Sequence, residues 1–214
     1  MICFDLFFTL IDIKRAGLPT ENEVLGLPYD EWRRYANHAE TYRRRARGFV
    51  TEPAEIIREI AALTGREVTQ AEQTEMLRRR VARYRASLTQ VEPEILTTLR
   101  ELRQRGHKLC LVSNADAIDT LHWDESPLAL LFDHTVFSWQ AGLMKPDPAI
   151  YLLSAQKLAA APEECIFVGD GEFNELAGAK RVGMRTIQTR HFVQQKVDGA
   201  DHIAERFAAI LNII

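Results

Sequence analysis

In ECIFVGDGEFNELAGAKRVGMRTIQT, residues 164–189, a short β-rich run, ECIFVGD, leads into a helical pattern, NELAGAKRVG, and a second β-rich run, MRTIQT, follows it. The alternation extends to both sides. Upstream, the helical EILTTLRELRQRG ends at Gly106, KLCLVS and DHTVFS follow as strands, and PAIYLLSAQKLAA reads as a helix. Downstream, DHIAERFAAIL reads as a closing helix. Residues 2–6, ICFDL, form one more buried strand, and the chain turns polar at Thr9 and Asp12. Strands alternating with helices imply right-handed βαβ crossovers, so the expected fold class is α/β, a doubly wound parallel sheet covered on both faces. In such sheets ligands bind beyond the carboxyl ends of the strands.

One block breaks the alternation. From about Tyr29 to Leu88 the pattern is helical throughout: EPAEIIREIAALTG opens after Thr51 with Pro53 in its first turn and closes at Gly65, and Thr69 starts QAEQTEMLRRRVARYRASL. The expected organisation is an α/β core of residues 1–11 and 89–214 with a smaller all-helical unit, residues 12–88, inserted after the first strand. Arginines crowd into this unit in YRRRARG and LRRRVARY. They read either as a solvated helix face or as a basic lid over an anionic substrate.

The 214 residues are 46% hydrophobic and 27% charged, a globular composition that excludes disorder and collagen-like repeats. The net charge of -3 gives no electrostatic reason to expect nucleic acid, and Trp32, Trp123 and Trp139 are too scattered to form a base-stacking platform. No apolar run approaches the ~20 residues of a bilayer-spanning helix, and Asp5 interrupts any apolar leader, so no membrane contact and a cytoplasmic location are expected. Cys3, Cys110 and Cys165 read as core thiols in a reducing compartment. The histidines show no zinc-ligand spacing, and GDGEFNE lacks the GxGxxG and Walker patterns of a nucleotide site.

Polar residues stand at the strand ends: Asp5 and Thr9 after the first strand, Ser113 and Asn114 after the second, Lys145 in GLMKPD, Asp170 and Glu175 after ECIFVG. Each alone has an ordinary reading as a turn, a helix cap or a loop lysine. In this order, however, FDLFFTL, LVSNAD, GLMKPDPAIY and FVGDGEFNELAGAKRVGM resemble the four signature segments of the haloacid dehalogenase (HAD) superfamily, over nearly the whole chain. The resemblance implies a HAD-like Rossmannoid core with a helical cap inserted between the first and second motifs. It also implies roles. Asp5 would be the nucleophile, a carboxylate already ionised at neutral pH. Thr9, Ser113, Asn114 and Lys145 would supply donors and positive charge to the transferred group, and Lys145 would keep Asp5 ionised. Magnesium would be held by Asp5, Asp170 and the main-chain carbonyl of Phe7, with Glu175 on the metal or its water shell. The implied substrate is a small phosphorylated metabolite.

One position departs from the family's phosphatases. They carry a second aspartate two residues after the nucleophile, as general acid and base, and often glycine next; here the residues are Phe7 and Phe8. A positioned proton donor contributes ~10²–10⁴ in rate. Three readings follow: a phosphatase or phosphotransferase whose acid comes from the cap or the substrate; a metal-free 2-haloacid dehalogenase, a branch with an aromatic residue at this position; or a catalytically impaired protein that binds a phosphorylated ligand or a partner. The dehalogenase reading matches only in part, because that branch has serine and asparagine where this chain has GDGEFNE. It also requires a cap arginine for the substrate carboxylate. Arg33, Arg34, Arg43, Arg44 and Arg45 are the candidates, with Arg43 and Arg44 taken as substrate contacts beside Thr9 and Phe7.

Overall fold

The computed structural model describes residues 1–14 and 17–214. Six parallel strands, β1 (Ile2–Phe4), β2 (Leu109–Ser113), β3 (His134–Phe137), β4 (Ile166–Gly169), β5 (Arg185–Thr189) and β6 (His202–Ala204), lie in the order β3-β2-β1-β4-β5-β6. The chain builds outward from β1 to β3, then returns to place β4 against the other side of β1, so the strand order reverses between β1 and β4. That crevice is where an open α/β sheet binds ligands. Asp5 and Asp170 leave β1 and β4 on either side of it, and Asp5 N still donates to Val168 O at 2.9 Å.

Side chains along each strand alternate between two cores. Ile2, Phe4, Leu109, Leu111, Ile166 and Val168 pack under α5 (Pro93–Gln104) and the 3₁₀ helix Phe207–Asn212. Cys3, Cys110, Val112 and Phe167 face the other way, toward α7 (Pro148–Lys157) and α8 (Glu175–Arg181). A short helix, α6 (Ser138–Ala141), follows β3. All three cysteines are free and buried.

Between β1 and α5 lie the 3₁₀ helix Glu21–Leu25 and four helices, α1 (Tyr29–Ala36), α2 (Ala39–Ala46), α3 (Pro53–Ala62) and α4 (Gln70–Thr89). Thr69 caps α4 by accepting from Glu72 N at 3.3 Å while Glu72 accepts from Thr69 N at 2.8 Å. The apolar side of this block, including Trp32, Ile56, Ile57, Ile60 and Met76, packs on Ala117 and Ile118 from the segment after β2. Its core is therefore completed by the sheet domain.

One element corrects the sequence reading. DHIAERFAAIL, expected as a helix, is instead β6 followed by a 3₁₀ helix. Asp201 accepts from Thr186 N at 2.8 Å and Thr186 Oγ1 at 2.9 Å, which fastens the segment beside β5, and Ile187 registers with His202. A three-residue strand is too short to display a period of two, and the remaining apolar pair, Phe207 and Ile210, has the three-residue spacing that a 3₁₀ helix stacks.

Candidate active site

Four elements deliver side chains to one buried floor. Lys145, in the loop between α6 and α7, donates to Asp5 Oδ1 at 2.5 Å and to Glu175 Oε2 at 2.6 Å. Thr9 Oγ1 donates to the other Asp5 oxygen at 3.2 Å. Asn114 clamps the lysine's main chain: its Nδ2 donates to Lys145 O and its Oδ1 accepts from Lys145 N, both at 2.8 Å. Glu175 also accepts from Gly171 N at 3.1 Å and opens α8 directly against the end of β4. A Cβ at Gly169 would stand 2.0 Å from Glu175 Oε1, so only glycine lets the carboxylate come this close.

The floor is short of positive charge. Three carboxylates, Asp5, Asp170 and Glu175, bring oxygens within 4.8 Å of one another around one ammonium, and all are buried. Burial, followed by the neighbouring Asp5 carboxylate, pushes Asp170 up to about 7. Burial likewise raises Glu175, with Asp5 and Asp170 adding to the effect and Lys145 opposing it. For Lys145, burial disfavours the charge, but Asp5 and Glu175 overcome it and hold the pKa above that of an ordinary lysine. A divalent cation fits this chemistry: hard oxygen donors with two uncompensated negative charges. Asp5, Asp170 and Glu175 are the carboxylates that would hold it directly or through its waters, and Glu175 also positions the lysine.

The same cavity, about 140 Å³, has a basic wall supplied by the helical block. That volume is below the ~300 Å³ at which drug-sized sites begin, and suits a metabolite of a few carbons. Arg45 Nε donates to Asp116 Oδ2 at 2.9 Å, Arg80 Nη2 reaches Asp116 and Asp119 at 2.7 Å each, and Arg83 Nη2 holds both Glu21 oxygens at 2.9 and 2.8 Å. The Asp116 and Asp119 pairs tie α2 and α4 to the segment after β2, and the Glu21 pair ties α4 to the 3₁₀ helix Glu21–Leu25. Burial and the Asp116 carboxylate raise the pKa of Asp119, whereas Arg80 and Arg45 overcome the burial of Asp116 and lower its pKa. Tyr42 faces the Arg45 guanidinium at 4.8 Å, and Tyr84 faces Arg80 and Arg83 at 5.4 and 4.9 Å.

Asp5, Phe7, Asn114, Lys145, Asp170 and Glu175 all line this cavity. Other residues are placed differently from their expected roles. Thr9 and Asn114, expected as donors to the transferred group, instead orient Asp5 and Lys145. Ser113 ends β2 with its hydroxyl buried and unpartnered. Arg43 and Arg44, expected to touch substrate, are exposed and off the cavity wall, and Arg44 pairs with Glu59; the hydrogen bonds of α2 turn Arg45 inward in their place. Arg33 lines the cavity and Arg34 does not.

Arg80 and Arg83 were absent from the sequence candidates. Both fall on the buried stripe of α4, with Met76 and Ser87, and that i, i+4, i+7 spacing was the available signal. Phe7 sets its ring edge-on to Tyr84 at 5.6 Å. Phe8, where the family often has glycine, adopts φ 57°, a left-handed conformation costing ~1–2 kcal/mol in a side-chain-bearing residue, and is held there by Phe8 N donating to Ile11 O at 2.7 Å.

Residues 1–183 match the family model of the haloacid dehalogenase-like hydrolases. The glyceraldehyde 3-phosphate phosphatase of Methanopyrus kandleri is 32% identical over 109 residues, which cover 50% of this chain and 46% of that protein. The chain spans about half the length of the curated relatives it matches. Two solved structures share the fold. A dehalogenase with an intermediate complex superimposes with a TM-score of 0.75 at 19% identity, covering 100% of this chain and 96% of that one. A HAD family enzyme from Bacteroides thetaiotaomicron, in complex with magnesium and inorganic phosphate, gives 0.66 at 20% identity, covering 92% and 96%.

Proposed function

Because this chain belongs to the haloacid dehalogenase-like hydrolases, we propose that it is a magnesium-dependent phosphatase or phosphotransferase acting on a small phosphorylated metabolite through Asp5. One arrangement carries this reading: Asp5 is held by Lys145 within reach of Asp170, at the crevice where the strand order reverses. The phosphatase names of its relatives support it, as does the neighbour solved with magnesium and phosphate. Residues 12–88 act as the cap, and three buried free thiols suit a cytoplasmic setting.

In the proposed reaction an Asp5 oxygen attacks phosphorus, the phosphorus–oxygen bond to the leaving group breaks, and water later cleaves the resulting acyl phosphate to regenerate Asp5 and release phosphate. Lys145 neutralises charge on Asp5 and the phosphoryl group, and Thr9 fixes the carboxylate plane. Magnesium, held by Asp5 and Asp170 with the Phe7 carbonyl, would polarise the phosphoryl group. Phe7 cannot protonate a leaving oxygen, so aryl and acyl phosphates, whose leaving groups need no proton, are the preferred substrates. Phosphate release from both, followed with magnesium and with chelator, tests the proposal; no metal-dependent release by the folded protein refutes it.

Phe7→Asp is expected to raise turnover of alkyl phosphates by about tenfold or more, the low end for a general acid placed without supporting hydrogen bonds. An unchanged rate in the folded variant rejects the missing-acid account. Dehalogenation is a second reading, favoured by the aromatic Phe7 on the cavity wall; metal-free halide release from 2-chloropropionate would mark it.

Metal-free protein should lose stability as pH rises from 5 to 8. Asp170 has a folded pKa of about 7 against a carboxylate value of 3.8, so the folded state binds the extra proton and the stability it confers is lost as pH passes through 7. In Asp170→Asn the fall in Tm between pH 5 and pH 8 should shrink by several degrees, because the variant has no carboxyl to lose its proton over this range. Calorimetry in chelator reads this directly; an undiminished pH slope rejects the assignment.

A further inference from the structure

β5 runs inside the sheet, yet Gln188 on it is fully buried, in register with Gly169, the residue before Asp170. A buried amide is costly unless its polar atoms are bonded, so its partners account for its presence. There are three. Gln188 Nε2 donates to the main-chain carbonyl of Asp170 at 2.9 Å and to that of Gln195 at 2.8 Å, and Gln188 Oε1 accepts from Val197 N at 3.1 Å. Two carbonyls on one side and an N–H on the other fix the orientation of the amide, and no other side chain of this length offers two donors and an acceptor.

The loop that Gln188 grips is strained. Between Asp170 and Glu175 the backbone is left-handed at Gly171, Phe173 and Asn174, with φ of 96°, 53° and 57°. Such a conformation persists at Phe173 only where the surroundings over-determine it. Gln188 holds the start of the loop, and Val197 covers it so closely that a Cβ at Gly171 would stand 2.6 Å from Val197 Cγ2. The covering segment, residues 190–201 between β5 and β6, is fastened elsewhere by Arg190 Nε on Gln194 O at 3.1 Å and by Lys180 Nζ on Gly199 O at 2.9 Å.

We infer that Gln188 is a positioning residue for the metal-binding carboxylates: through the Asp170 carbonyl it sets where the Asp170 side chain stands relative to Asp5, and it couples that position to segment 190–201. The inference rests on the magnesium reading of the floor and adds to it a side chain that lies behind the cavity wall.

Gln188→Met keeps the length of the side chain and removes all three bonds. Calorimetric titration of magnesium into this variant should show an affinity lower than wild type by about tenfold or more, the scale for a residue that holds a metal ligand in place. In turnover, the magnesium concentration giving half-maximal rate should rise by the same factor, while the rate at saturating metal falls less. Lys180→Met is the comparison, because it unfastens the same segment at Gly199 without touching Gln188, and it should bind magnesium as tightly as wild type. Equal losses of affinity in the two variants assign the effect to the segment as a whole and overturn the role of Gln188. Wild-type affinity in Gln188→Met overturns it too, and leaves the magnesium reading standing. A wild-type protein that binds no magnesium refutes that reading and the positioning role together. If Gln188→Met does not fold, the unsubstituted protein decides. Coupling between sites is reciprocal, so magnesium should slow hydrogen exchange at the Val197 amide by a larger factor than at the Thr186 amide, whose partner is Asp201. Equal slowing at both amides, or none at Val197, overturns the inference.

Discussion

Asp5→Asn should abolish phosphate release from aryl and acyl phosphates, by ~10⁴-fold or more, with little change in fold. The amide cannot attack phosphorus, yet it matches the carboxylate in shape: its oxygen can still accept from Lys145 Nζ, and its Nδ2 can donate to the Thr9 hydroxyl, which now donates to the second Asp5 oxygen. Lys145 also retains Glu175 as a buried counter-charge. The expected signature is thus a folded protein, with near-native circular dichroism and melting, that has lost single-turnover as well as steady-state release. Activity equal to wild type would remove Asp5 as the nucleophile, and with it the proposed reaction. Full loss accompanied by unfolding would show that the carboxylate is needed for the structure instead.

Lys145→Met is expected to have the largest effect on stability. It leaves Asp5, Asp170 and Glu175 buried within 4.8 Å of one another with no ammonium between them. Removing one member of a buried ion pair typically costs ~3–5 kcal/mol, which for this chain length corresponds to a Tm lowered by roughly 10 °C. The sign with pH follows from the carboxylates. Without the lysine the folded pKa values of Asp170 and Glu175 rise further above the unfolded ones, so the deficit is greatest at pH 8 and shrinks toward pH 5 as these two take up protons. Thermal melts at the two pH values measure this. A loss of stability independent of pH would mean that the lysine acts by packing, and that the carboxylates are not strained by one another.

The α/β alternation and the polar residues at the strand ends were legible in the chain because both are local. A strand end, a capping threonine such as Thr69 and a glycine beside a carboxylate are written within a few residues of one another. The closing segment after Asp201 was misread for the same reason: its partner, Thr186, lies 15 residues away, and nothing in the segment itself shows the edge it joins. Phe7 and Phe8 were visible as a departure from the family's pattern, but not the edge-on packing on Tyr84 or the left-handed turn.

By itself the sequence determined the order of strands and helices and the candidates Asp5, Lys145, Asp170 and Glu175, since hydrophobic period and turn chemistry act between near neighbours. Only the tertiary structure decided what each residue does there. It set Asn114 on the Lys145 main chain and Glu175 on the lysine, and turned Arg45, Arg80 and Arg83 inward where Arg43 and Arg44 face solvent. Asp5 and Lys145 lie 140 residues apart, Arg45 and Asp116 lie 71 apart, and charges so separated in the chain acquire partners, burial and shifted proton affinities only when the sheet and the helices close around them.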